Sequence, residues 1–139
     1  MSKVIHNNFR LRGRSIAQGQ LVVDLYDGAL KYLQQARDQM VAQKYAARNI
    51  LVNRALSILN ELTRSLDIRG GGDLAFKLNN LYLLCSARLL SANQKMSLDD
   101  LDSVVHILTR LRNIYLRFPG IEQNRINSQP NSSLVENNR

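Results

Sequence analysis

The stretch that decides the fold is residues 73–93, which read DLAFKLNNLYLLCSARLLSAN. Its apolar residues recur every three or four positions, the spacing of a helix that buries one stripe. The predicted inner stripe consists of Leu74, Leu78, Leu81, Tyr82, Cys85, Leu89 and Ala92. A second apolar set on the opposite side consists of Phe76, Leu83, Ala87 and Leu90. A helix that is apolar on two opposed faces is either buried on both or offers one of them to another molecule.

The same spacing on either side of this stretch predicts three more helices. The four helices are predicted over residues 16–42, 45–66, 73–93 and 98–117. The glycines at 70–72 and the pair Pro119-Gly120 supply breaks. Ser15 with Gln18 and Ser97 with Asp100 are predicted to form capping boxes at helix starts. The predicted fold class is therefore all-α: an antiparallel up-down four-helix bundle with a flexible N-terminal arm and a disordered C-terminal tail.

Charge and composition divide the 139-residue chain, whose formal net charge is +8, into three regions. Lys3, Arg10, Arg12 and Arg14 lie within the first 20 residues, which contain no acid. We therefore expect a flexible basic arm over residues 1–14 and the bundle over residues 15–118. Residues 119–139 are rich in Asn and Ser and are predicted to be a disordered tail.

The second helix also has apolar residues outside its predicted inner stripe. That stripe consists of Ala47, Leu51, Ala55, Ile58 and Leu62. The predicted partner-binding groove, which would accept an amphipathic helix, consists of Val52, Leu56, Leu59, Phe76, Leu83, Ala87 and Leu90. The open alternative is that these residues pack against the arm or across the bundle. We hypothesise that Ile5 and Phe9 of the arm cover the groove as a displaceable lid.

Residues that carry catalysis or bind metals do not form a recognisable set. The sequence contains no P-loop and no H-E-x-x-H motif, and His6 and His106 lack further ligands at matching spacing. The single cysteine, Cys85, falls on an inner stripe, where a buried inert thiol is expected. We predict no enzyme, no cofactor and no metal site. Because no run of 18 apolar residues and no apolar signal segment occurs, we predict no membrane insertion and a cytoplasmic location.

Several short motifs occur together in the order of a known family. They are Leu25-Tyr26-Asp27-Gly28-Ala29, Arg54-Ala55, Ile58-Leu59, Glu61-Leu62, Ser65-Leu66-Asp67, Gly71-Gly72-Asp73-Leu74-Ala75, Leu81-Tyr82, Arg88-Leu89-Leu90 and Ala92-Asn93. Over residues 15–118 the chain thereby resembles the flagellin export chaperone family (FliS). The resemblance implies a chaperone that binds the disordered C-terminal region of flagellin, which becomes helical on it and cannot polymerise prematurely. It also implies delivery to the flagellar type III export gate.

Two other readings stay open at this point. The basic arm with Arg110, Arg112 and Arg117 is compatible with a nucleic-acid-binding bundle, which the lack of aromatic residues between the arm's arginines disfavours. A homodimer that buries the second face of the third helix against a second copy is the other alternative to the expected monomer.

Overall fold

The computed structural model describes residues 16–66, 70 and 72–117, and these form four α-helices. The helices are α1 (Ile16–Val41), α2 (Tyr45–Arg64), α3 (Gly72–Lys95) and α4 (Leu98–Arg117). The all-α prediction is confirmed, and each helix boundary lies within two residues of its predicted position. The predicted arm, the predicted tail and the Ser15 cap lie outside the described residues.

Each helix packs against its two neighbours around a ring, in the order α1, α2, α3 and α4, with α4 returning to α1. Only residues 42–44 separate α1 from α2, and only residues 96 and 97 separate α3 from α4. Connections this short require antiparallel neighbours. The arrangement is therefore an up-down bundle, and each helix has one side toward the central core and one away from it.

The core lies along the centre of the bundle and is almost entirely apolar. Each helix contributes an apolar stripe, such as Leu33 and Ala36 from α1 and Leu108 from α4, all fully buried. Two tyrosines cross the centre: the hydroxyl oxygens of Tyr26 on α1 and Tyr82 on α3 are 2.5 Å apart, which is a hydrogen bond. This bond joins diagonally opposite helices and fixes their relative height, because both hydroxyls need a partner when buried.

The first helix ends in a left-handed residue. Gln43 has φ = 61°, its N–H donates to the carbonyl of Met40, and the N–H of Lys44 donates to the carbonyl of Gln39 at 2.8 Å. This pair of bonds is a Schellman motif, which usually places glycine at the left-handed position. Gln43 therefore adopts a left-handed conformation that is unfavourable for a residue with a side chain, and this conformation allows the two hydrogen bonds that end α1.

The start of α4 confirms one half of its predicted capping box. The hydroxyl of Ser97 accepts the backbone N–H of Asp100 at 3.1 Å. The carboxylate of Asp100 accepts instead from the hydroxyl of Ser91 on α3, at 2.7 Å. The backbone N–H of Ser97, which would donate to Asp100 in a complete capping box, donates instead to the carbonyl of Ala92. The Asp100 carboxylate therefore links α4 to α3 and does not close the box.

The second helix is rotated relative to its prediction. Its buried stripe consists of Arg48, Val52, Ala55, Leu59 and Leu62, with Glu61 also buried. Ala47, Leu51 and Ile58, which were predicted to face inward, lie at intermediate depth. The rotation turns Val52 and Leu59 into the core. The side of the helix that carries Leu51 and Ile58 is turned toward α1, where Ile58 lies close to Gly28.

Candidate functional site

The outer face of α3, formed by Phe76, Leu83, Ala87 and Leu90, is exposed. Phe76, Leu83 and Leu90 expose 59%, 56% and 53% of their surfaces, and Ala87 between them is also exposed. On the opposite side of the helix Leu78, Tyr82, Cys85 and Leu89 are buried. At 1.5 Å per residue, the row from Phe76 to Leu90 is about 21 Å long. The two-faced pattern predicted for α3 is therefore present in the structure.

The structure corrects the contribution that was predicted from α2. Val52 and Leu59 are 0% and 1% exposed and belong to the core, so neither is available to a partner. Leu56 is partly buried and packs against the same core. The candidate surface is therefore carried by α3 without these three residues. Ile5 and Phe9, the predicted lid, lie outside the described residues.

Hydrogen bonds identify which edge of the outer face borders α4. The guanidinium of Arg88 donates to the hydroxyl of Ser103, and Ser91 donates to Asp100. Lys77, Leu84 and Lys95 lie on the same strip of α3 as Arg88, at successive spacings of seven, four and seven residues. Leu84 is 39% exposed and extends the apolar surface toward α4.

The edge of the outer face that borders α2 has a different character. Asn79, Ser86 and Asn93 lie along it at spacings of seven residues, and all three are half-buried. These side chains are neutral, whereas Lys77, Arg88 and Lys95 line the other edge. The outer face of α3 is thus electrostatically asymmetric across its width.

Salt bridges tie α4 to α1 rather than to α3. Arg37 donates to Asp102 at 3.0 Å, which raises the pKa of Arg37, and Arg112 forms an ion pair with Asp27. Arg110 and Arg117 follow Ser103, which accepts a hydrogen bond from Arg88 of α3, at spacings of seven residues along α4. We name Lys77, Arg88 and Lys95 of α3 with Arg110 and Arg117 of α4 the basic edge. Within the described ranges none of these five forms a salt bridge. These five cations therefore have no direct carboxylate partner in that part of the chain.

The nucleic-acid alternative used the basic arm together with Arg110, Arg112 and Arg117 of α4. Arg112 pairs with Asp27 of α1, whereas Arg110 and Arg117 lie seven residues apart on another side of α4. Arg112 is therefore engaged within the bundle and lies apart from Arg110 and Arg117, and the nucleic-acid alternative stays a prediction.

The thiol of Cys85 is buried, as the sequence predicted. Burial raises its pKa to about 11, although the nearby charge of Arg88 acts in the opposite direction. A thiol of this kind is protonated and a poor nucleophile at neutral pH. In residues 16–66, 70 and 72–117 no group of three or more His, Cys, Asp or Glu side chains is arranged to hold a metal ion. None of the four described helices has both the length and the hydropathy of a membrane span.

Fold and surface together define a class of protein: an antiparallel four-helix bundle whose third helix is apolar on both sides. Residues 10–119 match the family described as "Flagellar protein FliS". The chain belongs to this family.

Curated relatives agree with the family match. The chain is similar to the flagellar secretion chaperone FliSB of Pseudomonas aeruginosa, with 34% identity over 93 residues, or 67% of this chain and 74% of that protein. The flagellar secretion chaperone FliS of Salmonella typhimurium is 31% identical over 98 residues, which are 70% of this chain and 73% of that protein. The FliS of Vibrio cholerae is 27% identical over 100 residues, covering 72% and 74%.

Proposed function

We propose that this protein is a cytoplasmic, non-catalytic chaperone that binds the C-terminal region of flagellin through the outer face of α3. Binding would keep that region from polymerising prematurely and would deliver flagellin to the flagellar type III export apparatus. The observation that carries the proposal is the exposure of Phe76, Leu83 and Leu90 in one row. The family match and the names of the curated relatives support the pathway.

The outer face suits a helical client. A partner helix that buries apolar residues at i, i+3, i+4 and i+7 presents a row of the same length and spacing. Covering the exposed half of each large side chain would contribute roughly 1 to 1.5 kcal/mol. Three such side chains, with the client's own apolar residues added, offset the ordering of a disordered segment and the loss of free motion.

The opposite side of α3 supports the rigid part of this mechanism. Because Tyr82, Cys85 and Leu89 are fixed in the core, the helix backbone is held in place before any client arrives. The client alone would then change from disordered to helical. The contact with the export gate and the proposed lid of Ile5 and Phe9 remain predictions.

The experiment is a binding titration of the full chain with flagellin and with flagellin that lacks its C-terminal segment. The test variant carries Leu83→Asp and Leu90→Asp. The matched control is Ile50→Asp with Leu116→Asp, since both of these residues are exposed apolar side chains on other helices. We expect the test variant to lose binding, the control to keep it, and all variants to retain their helical circular dichroism.

Two results would contradict the proposal. Binding that survives Leu83→Asp with Leu90→Asp would show that the outer face of α3 is not the site. Binding that is unchanged when flagellin lacks its C-terminal segment would show that the client region is wrong. Light scattering of the free chain tests the homodimer alternative, in which Leu83→Asp would convert a dimer to a monomer.

A further inference from the structure

The outer face of α3 has one charged edge and one neutral edge. On the side of α4 it is bordered by the basic edge, and on the side of α2 by Asn79, Ser86 and Asn93. The bonds from Arg88 to Ser103 and from Ser91 to Asp100 fix this orientation. A helix lying on Phe76, Leu83 and Leu90 would therefore meet different chemistry on its two flanks.

Positive charge predominates along the α3–α4 border, where the five cations of the basic edge outnumber three nearby aspartates. Lys77, Arg110 and Arg117 are exposed, and none of them forms a salt bridge with another described residue. The acidic residues of α3 and α4 near this border stand at its ends. Asp73 is in the first turn of α3, and Asp99 and Asp100 are in the first turn of α4. On the α1–α4 border, by contrast, Arg37 and Arg112 are already paired with aspartates.

Building on the proposed function, we propose that the client segment is an amphipathic helix that carries acidic side chains along one flank only. Its apolar stripe lies on the outer face of α3, and its acidic flank lies over the basic edge. Complementary charge at the border of an apolar contact selects partners and sets their orientation more than it adds affinity. The basic edge thus fixes which way round the client helix lies on α3.

Three designed 18-residue helical peptides provide the probes. They share one leucine stripe with the spacing of the outer face and differ on one flank, which carries Glu, Gln or Lys. Each is titrated against the full chain at 50 mM and at 300 mM salt, with fluorescence anisotropy as the readout. We expect the Glu peptide to bind about tenfold more tightly than the Lys peptide at low salt, and this ratio to shrink at high salt.

Charge reversal on the protein supplies the second arm. Lys77→Glu with Arg110→Glu should abolish or invert the preference between the Glu and Lys peptides. The matched control is Lys31→Glu with Lys44→Glu, which has the same net charge and alters exposed lysines away from the basic edge. The control should keep the preference. The same two double variants are then titrated with flagellin, whose binding should weaken about tenfold only for Lys77→Glu with Arg110→Glu.

The outcomes separate this inference from the proposed function. Equal binding of the three peptides, or equal effects of the two double variants, overturns the acidic-flank inference. If Leu83→Asp with Leu90→Asp still abolishes flagellin binding in that case, the proposed function stands without it. If flagellin also binds that variant normally, both are overturned.

Discussion

Leu83 and Leu89 give the sharpest contrast on α3, because one lies on the exposed outer face and the other in the buried stripe of the same helix. Leu83 exposes more than half of its surface, whereas Leu89 is completely buried. Truncating each to alanine removes the same atoms. Leu89→Ala should therefore weaken folding and leave binding unchanged, whereas Leu83→Ala should weaken binding and leave folding nearly unchanged.

Leu89→Ala should lower the free energy of unfolding by about 2 to 5 kcal/mol, because it removes buried methyl groups and leaves a cavity in the core. Leu83→Ala should change it by less than about 0.5 kcal/mol, as is usual for an exposed position away from special contacts. In flagellin binding the order reverses. Leu83→Ala removes roughly 1 kcal/mol of apolar contact with the client, which raises the Kd about fivefold.

Urea denaturation followed by circular dichroism gives the folding energies, and calorimetric titration with the flagellin C-terminal segment gives the Kd. Titrations of Leu89→Ala are run where that variant is still fully folded, so that its Kd should match the wild type. A loss of more than about 1.5 kcal/mol of stability in Leu83→Ala would refute the reasoning. It would mean that Leu83 is packed by the chain itself and that the face is not free.

Three further predictions concern the bundle itself. Tyr82→Phe should lower stability by about 1 to 2 kcal/mol, because it removes the 2.5 Å bond to Tyr26 inside the core, and urea denaturation measures this. Gln43→Gly should raise stability by about 0.5 to 1 kcal/mol in the same assay, since glycine adopts the left-handed conformation without strain. Cys85 should react with a thiol reagent at pH 8 only as fast as the protein unfolds, and stability should fall as the pH rises from about 9 toward 11, because the unfolded thiol ionises near 9.0 and the folded one near 11.

Each of these has its own control. Tyr26→Phe with Tyr82→Phe should cost less than the sum of the two single changes, and full additivity would show that the hydroxyls act independently. Gln39→Gly, inside α1, should destabilise the protein. If it raised stability as much as Gln43→Gly, the left-handed conformation of Gln43 would not be the cause of the gain. In Cys85→Ala, stability should fall less between about pH 9 and 11 than in the wild type. If the two pH profiles are identical, the thiol is not the cause of the fall.

The sequence predicted α3 well because its two apolar stripes are half a turn apart and polar residues fill the strips between them. It failed on α2 for a physical reason. The true inner stripe of α2 begins with Arg48, which is only 4% exposed, although a charged residue is expected to face water. Apolar residues also cover more than half of that helix's circumference, so a rotated stripe fits the spacing equally well. Only packing against α1 and α3 decides between the two.

The candidate site was predicted in part. The exposure of Phe76, Leu83 and Leu90 could be expected from their spacing, whereas Leu56 and Leu59 could not be excluded without the rotation of α2. The basic edge was visible only as scattered charges. Lys77 and Arg88 share a strip by their spacing, but which helix borders that strip depends on the hydrogen bonds to α4, which no single-helix pattern contains.

The length of the outer face also bears on how a bound helix could leave it. Leu90, Leu83 and Phe76 are separate contact points spread over about four helical turns. A force applied to one end of a bound segment would therefore break these contacts one after another along α3. Each step would cost only a fraction of the total, so a complex that is stable at rest could be unloaded by a modest force applied from one end.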